Sequence, residues 1–344
     1  MNATTKPSRS LTNLTVSVVV IGRNEGERLR RCLESVYAMD RDGFAIEVLY
    51  VDSNSQDGSV GLAQSMGAKT IVLHPERPSA ALGRNAGWRA ATGAIVLFLD
   101  GDTILHPRFV SDSLQEFLNP AIAVVWGHRR ELYPRRSIYI RTLDLDWIYE
   151  AGPTLYCGGD ALFWRDVLVQ VNGFDETLIA GEEPELCRRI AALGYIILHV
   201  DRPMTGHDLA IYHWRQYWKR STRAGHAFAE VSERFRSSPQ SFWTEECRRN
   251  RNRAWILVGL SLAGLLCSIL LRAIWPLLGV GIFFLLLAAR SAWKARWKTK
   301  DTVALAMYGV HSHLQQLPIY IGQLQYKLNR RRGKRAMLVE YKQP

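Results

Sequence analysis

The sequence predicts an α/β domain, a Rossmann-like sheet flanked by helices, followed by a C-terminal hairpin of two transmembrane helices. Three observations lead to this fold class. Apolar strand-like runs alternate with helical segments in the N-terminal part, polar clusters follow the strand ends, and two uncharged apolar runs lie near the C-terminus. Such alternation is typical of parallel strands covered by helices.

Hydrophobic periodicity places the individual elements. The β-branched run from Val16 to Ile21 predicts a buried strand, and residues 27–37 place four apolar side chains on one helix face. The same reasoning predicts further strands at 47–51, 70–73 and 94–99 and helices at 58–66 and 80–91. A strand at 121–129, helices at 140–150 and 181–193 and a strand at 195–200 are expected to complete the same domain, residues 15–230, after a polar tail of residues 1–14.

Composition and charge narrow the class of protein. The 344 residues carry a formal net charge of +12, and 47% of them are hydrophobic, which excludes a disordered chain and favours polyanionic partners. The five cysteines show no CxxC pairing, so we interpret them as reduced thiols in a protein that faces the cytosol.

Two apolar runs predict transmembrane helices within residues 254–289. Residues 254–271 and 273–289 are uncharged and are separated by Arg272, and each is close to the ~20 residues that span a bilayer. Arginine and lysine flank both runs, so the positive-inside rule predicts a multi-pass protein of the inner (cytoplasmic) cell membrane with a cytoplasmic catalytic domain. The alternative is a buried helical hairpin in a soluble protein.

Basic segments lie on either side of this hairpin. Residues 231–253 are predicted as a juxtamembrane linker and residues 290–344 as a basic, amphipathic cytoplasmic tail. Within the tail, residues 302–326 are predicted to lie at the membrane interface, with a third span as the alternative, and residues 330–335 to bind lipid headgroups. We expect no nucleic-acid partner, because no aromatic-interleaved motif accompanies the charge.

Asp100-Gly101-Asp102 is the strongest candidate for metal chemistry. Two carboxylates one residue apart directly follow an apolar strand, and such hard oxygen ligands suit Mg²⁺ or Mn²⁺ bridging a diphosphate. A solvated turn is the alternative. The position after the fourth strand favours the metal site, because ligands bind beyond the carboxyl ends of such strands.

Two further residues are expected near the same edge. Asp52 follows the second strand, where a carboxylate can accept hydrogen bonds from a base or ribose. Its neighbours Ser55 and Asp57 are at least as well explained as caps of the next helix. Arg84 can pair with a phosphate or the base, and a solvated surface arginine is the alternative.

The order of motifs resembles that of a family 2 glycosyltransferase of the GT-A fold. The resemblance runs from residue 16 to about residue 225 and rests on VVVIGRNE (18–25), VDSNSQDGS (51–59), GRNAG (83–87), FLDGD (98–102), CGGDALFWR (157–165), GFDE (173–176) and GEEPELCRR (181–189). The resemblance implies a mixed sheet, and it implies which residues bind the metal and the nucleotide-sugar donor. Asp52 and Arg84 would hold the nucleotide with Asn24 and Glu25 nearby, Asp102 would bind the metal, and Asp100 would contact ribose or metal.

The resemblance also implies an acceptor side. Gly158-Gly159-Asp160 would line the sugar and acceptor pocket. Glu182-Glu183 stands where the family usually has Glu-Asp, whose second residue is the general base, so either glutamate is a candidate. Helix-terminal charges that complement the dipole are the alternative interpretation of this pair.

A closing loop is expected after residue 205. The resemblance places Arg220 and Arg223 as phosphate contacts and His207 as a further metal ligand. No clear QxxRW follows, so a helix that packs Trp214, Tyr217 and Trp218 against the membrane is the alternative.

Together these features predict a metal-dependent glycosyltransferase. We expect inverting transfer from a nucleotide-sugar, UDP-linked, to a membrane-associated or lipid-linked acceptor in glycolipid or surface-polysaccharide biosynthesis. A sugar nucleotidyltransferase and a catalytically degenerate membrane-bound partner protein are the alternatives.

Overall fold

A computed structural model describes residues 10–238 and 241–333. Its contacts divide the chain into two compact units. The first contains the described residues through Leu132 together with Tyr149–Asp208, and the second contains Tyr133–Ile148 and the described residues from Leu209 onward. The predicted domain of residues 15–230 therefore crosses this division, because residues 133–148 and 209–230 belong with the C-terminal helices.

The N-terminal half of the first unit is a parallel sheet covered by helices. Its elements are β1 (Leu14–Gly22), α1 (Glu27–Tyr37), β2 (Phe44–Asp52), α2 (Ser59–Ser65), β3 (Lys69–Val72), α3 (Ala80–Ala90) and β4 (Ile95–Asp100). The strands lie in the order β3-β2-β1-β4 and all run parallel. β1 and β4 are buried along almost their whole length, as expected for strands with helices on both faces. All seven predicted elements are confirmed.

The remaining strands make the sheet mixed. The following elements are β5 (Thr103–Leu105), α4 (Phe109–Ser113), β6 (Ile122–Glu131), α5 (Ile138–Leu143, in the second unit), β7 (Gly152–Thr154), β8 (Ala161–Trp164), α6 (Arg165–Gln170), α7 (Glu182–Ala192) and β9 (Ile196–His207). β8 is antiparallel to both β4 and β6, whereas β6 and β9 are parallel. The mixed sheet is thus confirmed.

Two predicted boundaries in this half differ from the structure. The helix predicted at 140–150 begins at Ile138, because the Ser137 hydroxyl accepts a hydrogen bond from the Ile140 N–H and caps it. After Leu143 it continues as a 3₁₀ turn, Asp144–Trp147. The strand predicted at 195–200 extends to His207, since pairing with β5 and β6 continues to that residue.

The strand register brings the predicted polar clusters together. Gly22 at the end of β1 pairs with Asp52 on one side, and Ile21 pairs with Asp100 on the other. Asp52 and Asp100 therefore flank the carboxyl end of β1. This edge of the sheet is where a parallel arrangement places its ligands.

The second unit consists of helices. After α5 it contains α8 (Trp214–Arg234), α9 (Thr244–Leu270), α10 (Trp275–Lys294), α11 (Thr302–Leu314) and α12 (Gln316–Arg331). The predicted segment 302–326 is thus two helices. α8 and α12 cross closely at two glycines: a Cβ on Gly225 would lie 1.9 Å from the Ile319 carbonyl oxygen, and one on Gly322 would lie 2.0 Å from that of Thr222.

α9 and α10 are long and apolar enough to cross a membrane. In α9, 11% of the apolar stretch is buried inside the protein. The apolar stretch of α10 is exposed along nearly its whole length. The core helix of a soluble protein would show the opposite pattern. Of the predicted headgroup patch, Arg330 forms an ion pair with Glu233, and residues 334 and 335 lie outside the described residues.

Candidate active site

Asp100, Asp102 and His207 form a cluster of metal-ligand type. Asp100 is the last residue of β4, and β5 pairs Thr103 with His207 at the end of β9, which brings the imidazole beside the two carboxylates. One ligand atom from each residue lies within 4.8 Å of the others, and the His207 Nε2 is 3.3 Å from an Asp102 oxygen. Two carboxylates and an imidazole fit a divalent cation such as Mn²⁺ or Mg²⁺.

Arg84 is the centre of a buried charge network. Its side chain is 2% exposed, and its two terminal nitrogens contact three carboxylates: Asp100 at 2.9 Å, Glu182 at 2.8 Å and Glu183 at 3.1 Å. A buried guanidinium is tolerated only with such partners. Arg84 therefore links the metal-ligand cluster at β4 to the acidic pair on α7.

The two glutamates of this pair differ in exposure. Both begin α7 after Gly181, whose φ of 83° is left-handed. The side chain of Glu182 is 5% exposed and that of Glu183 is 17% exposed. Burial and then the adjacent Glu182 charge raise the pKa of Glu183 to about 7. A carboxylate of this pKa is suited to accept a proton near neutral pH, which favours Glu183 over Glu182 as the base.

Gly159 lies where these groups converge. A Cβ at this position would be 2.6 Å from an Arg84 nitrogen, 3.0 Å from an Asp100 oxygen and 3.3 Å from a Glu183 oxygen. Only glycine fits without displacing the network. The predicted pocket residue Gly159 is thus in contact with both the metal-ligand cluster and the candidate base.

Asp160 and Arg129 fix the position of Asp100. Asp160 is fully buried, and its carboxylate accepts hydrogen bonds from the Asp100 N–H at 3.0 Å and the Thr205 hydroxyl at 2.8 Å. Arg129 on β6 lies 3.3 Å from the second Asp100 oxygen and 3.6 Å from Asp160. Asp160 was predicted as a pocket residue, and its contact with a sugar or an acceptor stays a prediction.

The β1 and β2 loops are bound to each other at the predicted nucleotide edge. The Asn24 side-chain oxygen accepts a hydrogen bond from the Gln56 N–H at 2.8 Å. Asp52 is fully buried and accepts hydrogen bonds from the Tyr50 hydroxyl and the Ser55 N–H. Glu25 forms an ion pair with Arg28 at 2.9 Å. These contacts shape the edge, and direct contact of Asn24, Glu25 and Asp52 with a nucleotide stays a prediction.

Comparison with known proteins relates the first unit to one family. The sequence profile described as Glycosyl transferase family 2 matches residues 17–163, which run from within β1 to within β8 and contain the Asp100-Gly101-Asp102 motif. This segment is similar to family 2 glycosyltransferase domains. The recognised resemblance, the GT-A type of mixed sheet and the glycosyltransferase class are thereby confirmed.

Relatives of the family 2 domain are glycosyltransferases. The chain is 28% identical over 189 residues to Glycosyltransferase AglE of Haloferax volcanii, covering 52% of this chain and 62% of that protein. It is 27% identical over 220 residues to the pre-mycofactocin glycosyltransferase of Mycobacterium tuberculosis, covering 59% and 44%. The chain thus spans less than two thirds of the length of these relatives.

Solved structures share the fold. The mannosyltransferase PcManGT from Pyrobaculum calidifontis, solved with GDP-Man and Mn²⁺, matches with a TM-score of 0.58 and 18% identity, covering 92% of this chain and 88% of that one. TarS of S. aureus matches with a TM-score of 0.50 and 13% identity, covering 89% and 55%. At these identities the likeness is one of fold.

Two arginines predicted as phosphate contacts lie on one helix of the second unit. Arg220 and Arg223 are on α8, in the second unit. There Arg220 lies near Asp146. Burial of the Asp146 carboxyl opposes its ionisation, but the positive charges of His311, Arg220 and Lys298 outweigh this effect and lower its pKa. The predicted phosphate contact of both arginines stays a prediction.

Arg129 and Thr205 were missed by sequence reasoning. Arg129 contacts Asp100 directly, and Thr205 acts on it through Asp160. The signal available was Arg129 itself, an arginine in a strand whose preceding residues, Ile122 to Gly127, are buried. An arginine after such a run needs a carboxylate partner, which the sequence alone does not identify.

Proposed function

We propose that this chain transfers a sugar from a nucleotide-sugar, UDP-linked, to a membrane-associated or lipid-linked acceptor, with inversion and with a divalent metal. The observation that carries the proposal is that Arg84 contacts both Glu183 and Asp100 of the metal-ligand cluster, which brings a candidate base and a candidate metal site together. Leaving-group stabilisation and proton removal are the two tasks of such a displacement, and each has its own residues here.

The residues divide these tasks as follows. Asp102, His207 and Asp100 would hold the metal, which supplies positive charge to the leaving diphosphate. Glu183 accepts the proton of the acceptor hydroxyl, whose oxygen forms the new bond to the anomeric carbon. The bond from that carbon to the diphosphate oxygen breaks, and the nucleoside diphosphate leaves. Attack opposite the leaving group inverts the configuration.

Arg84 contacts both the metal-ligand cluster and the acidic pair Glu182-Glu183. It donates to Asp100 and Glu182 and contacts Glu183, so it holds the base and one metal ligand at a fixed separation. Its positive charge also offsets part of the repulsion among three carboxylates. We therefore regard Arg84 as a positioning residue for both reacting sides.

Membrane anchoring is supported by the aromatic and basic residues of the hairpin. Trp255 on α9 and Trp293 on α10 are 61% and 67% exposed at the arginine-rich end, and Trp275 is 75% exposed at the other. At a rise of ~1.5 Å per residue, the separation of Trp275 and Trp293 along α10 approaches the ~30 Å hydrocarbon thickness. Exposed tryptophans at both ends of an apolar helix are typical of membrane interfaces. We propose the inner cell membrane, with the glycosyltransferase domain cytoplasmic.

One experiment tests the proposal. Purified chain in detergent is incubated with UDP- and GDP-sugars and Mn²⁺ or Mg²⁺, with and without membrane lipid extract, and nucleoside diphosphate release is measured. Lipid-dependent release that Asp102→Ala abolishes is the expected result, with Asp112→Ala, on the surface, as the matched control. Pyrophosphate release in a parallel incubation with a nucleoside triphosphate and a sugar 1-phosphate would instead indicate a nucleotidyltransferase, and no turnover in either incubation would indicate a non-catalytic partner protein.

A further inference from the structure

A cavity of about 300 Å³ lies in the second unit at the arginine-rich end of α9 and α10. Three cationic side chains line it: Arg253 from α9, and Arg290 and Lys294 from α10. It belongs to neither the metal-ligand cluster nor the acidic pair. No part of the proposed reaction uses it.

The positive charge of this cavity is not compensated by protein carboxylates. Across residues 10–238 and 241–333, no carboxylate lies within ion-pairing distance of Arg253, Arg290 or Lys294, although arginines just before them on α9 pair with Glu245 and Glu246. Three cations around one cavity repel each other unless an anion joins them. The cavity therefore presents a site for an anion.

Polar groups at the base of the cavity complete the site. His313 of α11 also lines it and is hydrogen-bonded to the Ser291 hydroxyl at 3.0 Å and to the Leu287 carbonyl at 3.2 Å. Burial lowers the pKa of His313. The hydrogen bond to the Leu287 carbonyl opposes this effect, and the positive charge of the nearby Arg253 adds to it. His313 is thus a neutral hydrogen-bonding group, and the charge comes from the three cations.

The rest of the cavity wall is apolar. Ile256, Leu257, Phe283, Phe284 and Leu287 line it, on the side of the helices that continues into the apolar stretches. A free inorganic anion gains nothing from such a wall. A ligand with a phosphate at one end and a hydrocarbon chain at the other matches both parts.

We propose that this cavity binds the phosphate of an anionic bilayer phospholipid, with the start of an acyl chain against Leu257 and Phe283. The proposal rests on the membrane insertion of α9 and α10 proposed above. A bilayer lipid is favoured as the source because the cavity opens at the end of the hairpin where headgroups would lie. Bound lipid would fix the depth of the hairpin in the bilayer.

The test uses the full chain, delipidated in a neutral detergent, with no sugar nucleotide present. Phosphatidylglycerol is titrated and binding is followed by native mass spectrometry, with phosphatidylcholine, polyprenyl phosphate and inorganic phosphate as comparison ligands. The cavity variant is R253Q/R290Q/K294Q. The matched control, R248Q/R249Q/R251Q, removes the same charge from α9 outside the cavity.

We expect one phosphatidylglycerol per chain, bound at least tenfold more tightly than phosphatidylcholine. The cavity variant should lose at least tenfold in affinity, whereas the control should change less than twofold. Leu257→Trp, which fills the apolar part without changing charge, should also weaken binding. Thermal unfolding in detergent and binding of UDP with Mn²⁺ confirm that each variant is folded.

Four outcomes would overturn the proposal. Equal weakening in both triple variants means general electrostatic attraction, and competition by inorganic phosphate at the same concentration means no lipid recognition. Tighter binding of polyprenyl phosphate means a site for a lipid-linked substrate. Failure of the chain to float with phosphatidylcholine liposomes removes the membrane premise. Sugar transfer is assayed separately in detergent. A chain that transfers no sugar but binds phosphatidylglycerol in this cavity would contradict the proposed function and leave the lipid site standing.

Discussion

Glu183 should set the pH range of the reaction, because only its carboxylate form accepts a proton. Burial and then Glu182 raise its pKa to about 7. The transfer rate should therefore rise with pH up to about 7 and then level off. Glu183→Gln should lower kcat by ~10²–10⁴-fold with little change in donor affinity.

Glu182→Gln is the discriminating comparison for this prediction. Glu182 is nearly buried against Arg84, so its loss should disturb the network and stability more than proton transfer. Initial rates between pH 5.5 and 8.5, together with calorimetric binding of UDP and Mn²⁺, give both quantities. A flat pH profile, or a Glu183→Gln enzyme faster than Glu182→Gln, would show that the base is elsewhere.

The neighbouring glycines 158 and 159 provide a matched pair of substitutions. Gly159→Ala places a methyl group 2.6 Å from Arg84 and 3.0 Å from Asp100, so we expect at least a tenfold loss of kcat/KM with the fold retained. Gly158→Ala places its methyl group 3.9 Å from Arg129, an ordinary contact, and should retain most activity. Circular dichroism and steady-state kinetics on both variants test this, and equal activity of the two would contradict it.

For single residues, the sequence predicts which side chains belong to the candidate site, but it does not predict which other side chains they contact. Asp100 and Asp102 are predictable because a strand end fixes their position. The partners of Arg84 are not, because Glu182 and Glu183 lie far along the chain and reach Arg84 only after α3 and α7 pack on the sheet. The alternative interpretation of Arg84 as a solvated surface arginine is wrong, because its side chain is 2% exposed. The sequence could not exclude this alternative, because burial depends on how the whole chain folds.

At the scale of elements, the crossing of α8 and α12 depends on Gly225. Because a Cβ there would overlap the Ile319 carbonyl oxygen, Gly225→Ala should destabilise the chain by about 1–3 kcal/mol. Gly61 on α2 has nothing within 4 Å of its Cβ position, so Gly61→Ala should stabilise by about 0.5–1 kcal/mol. Thermal unfolding in detergent measures both shifts, and a Gly225→Ala melting temperature at or above that of the parent would contradict the close crossing.

Element prediction succeeded where a segment is stabilised by its own pattern. β1, α1 and α7 have long periodic runs, and their observed limits agree closely with prediction. β5, β7 and β8 were not predicted, because strands of three or four residues carry a short pattern and form through their neighbours. β3 is equally short and was predicted, because it lies within the regular alternation of strands and helices. The antiparallel strands β5, β7 and β8 make the sheet mixed, so this feature had to come from the family resemblance.

At the scale of the whole molecule, the proposed topology predicts a definite labelling pattern. In a background with Cys247→Ser and Cys267→Ser, a cysteine at Ala273, between α9 and α10, should react with a membrane-impermeant maleimide in intact cells. A cysteine at Glu245, before the apolar stretch of α9, should react only after lysis. The reverse pattern would place the glycosyltransferase domain outside the cell, and labelling of both positions in intact cells would exclude a spanning hairpin.

The position of β9 in the sheet has a consequence for the order in which the protein matures. Within residues 10–238 and 241–333, β9 is the last strand to leave the ribosome, yet it lies inside the sheet, hydrogen-bonded to β6, β5 and β7. At ~5–20 residues per second, synthesis leaves β6 without this partner for several seconds, with a strand edge open to aggregation. Asp52 and Asp100 are in place before His207 has been made. A nascent chain thus contains the residues of its proposed nucleotide edge before its metal-ligand cluster is complete, and any metal that needs His207 can bind only after β9 inserts.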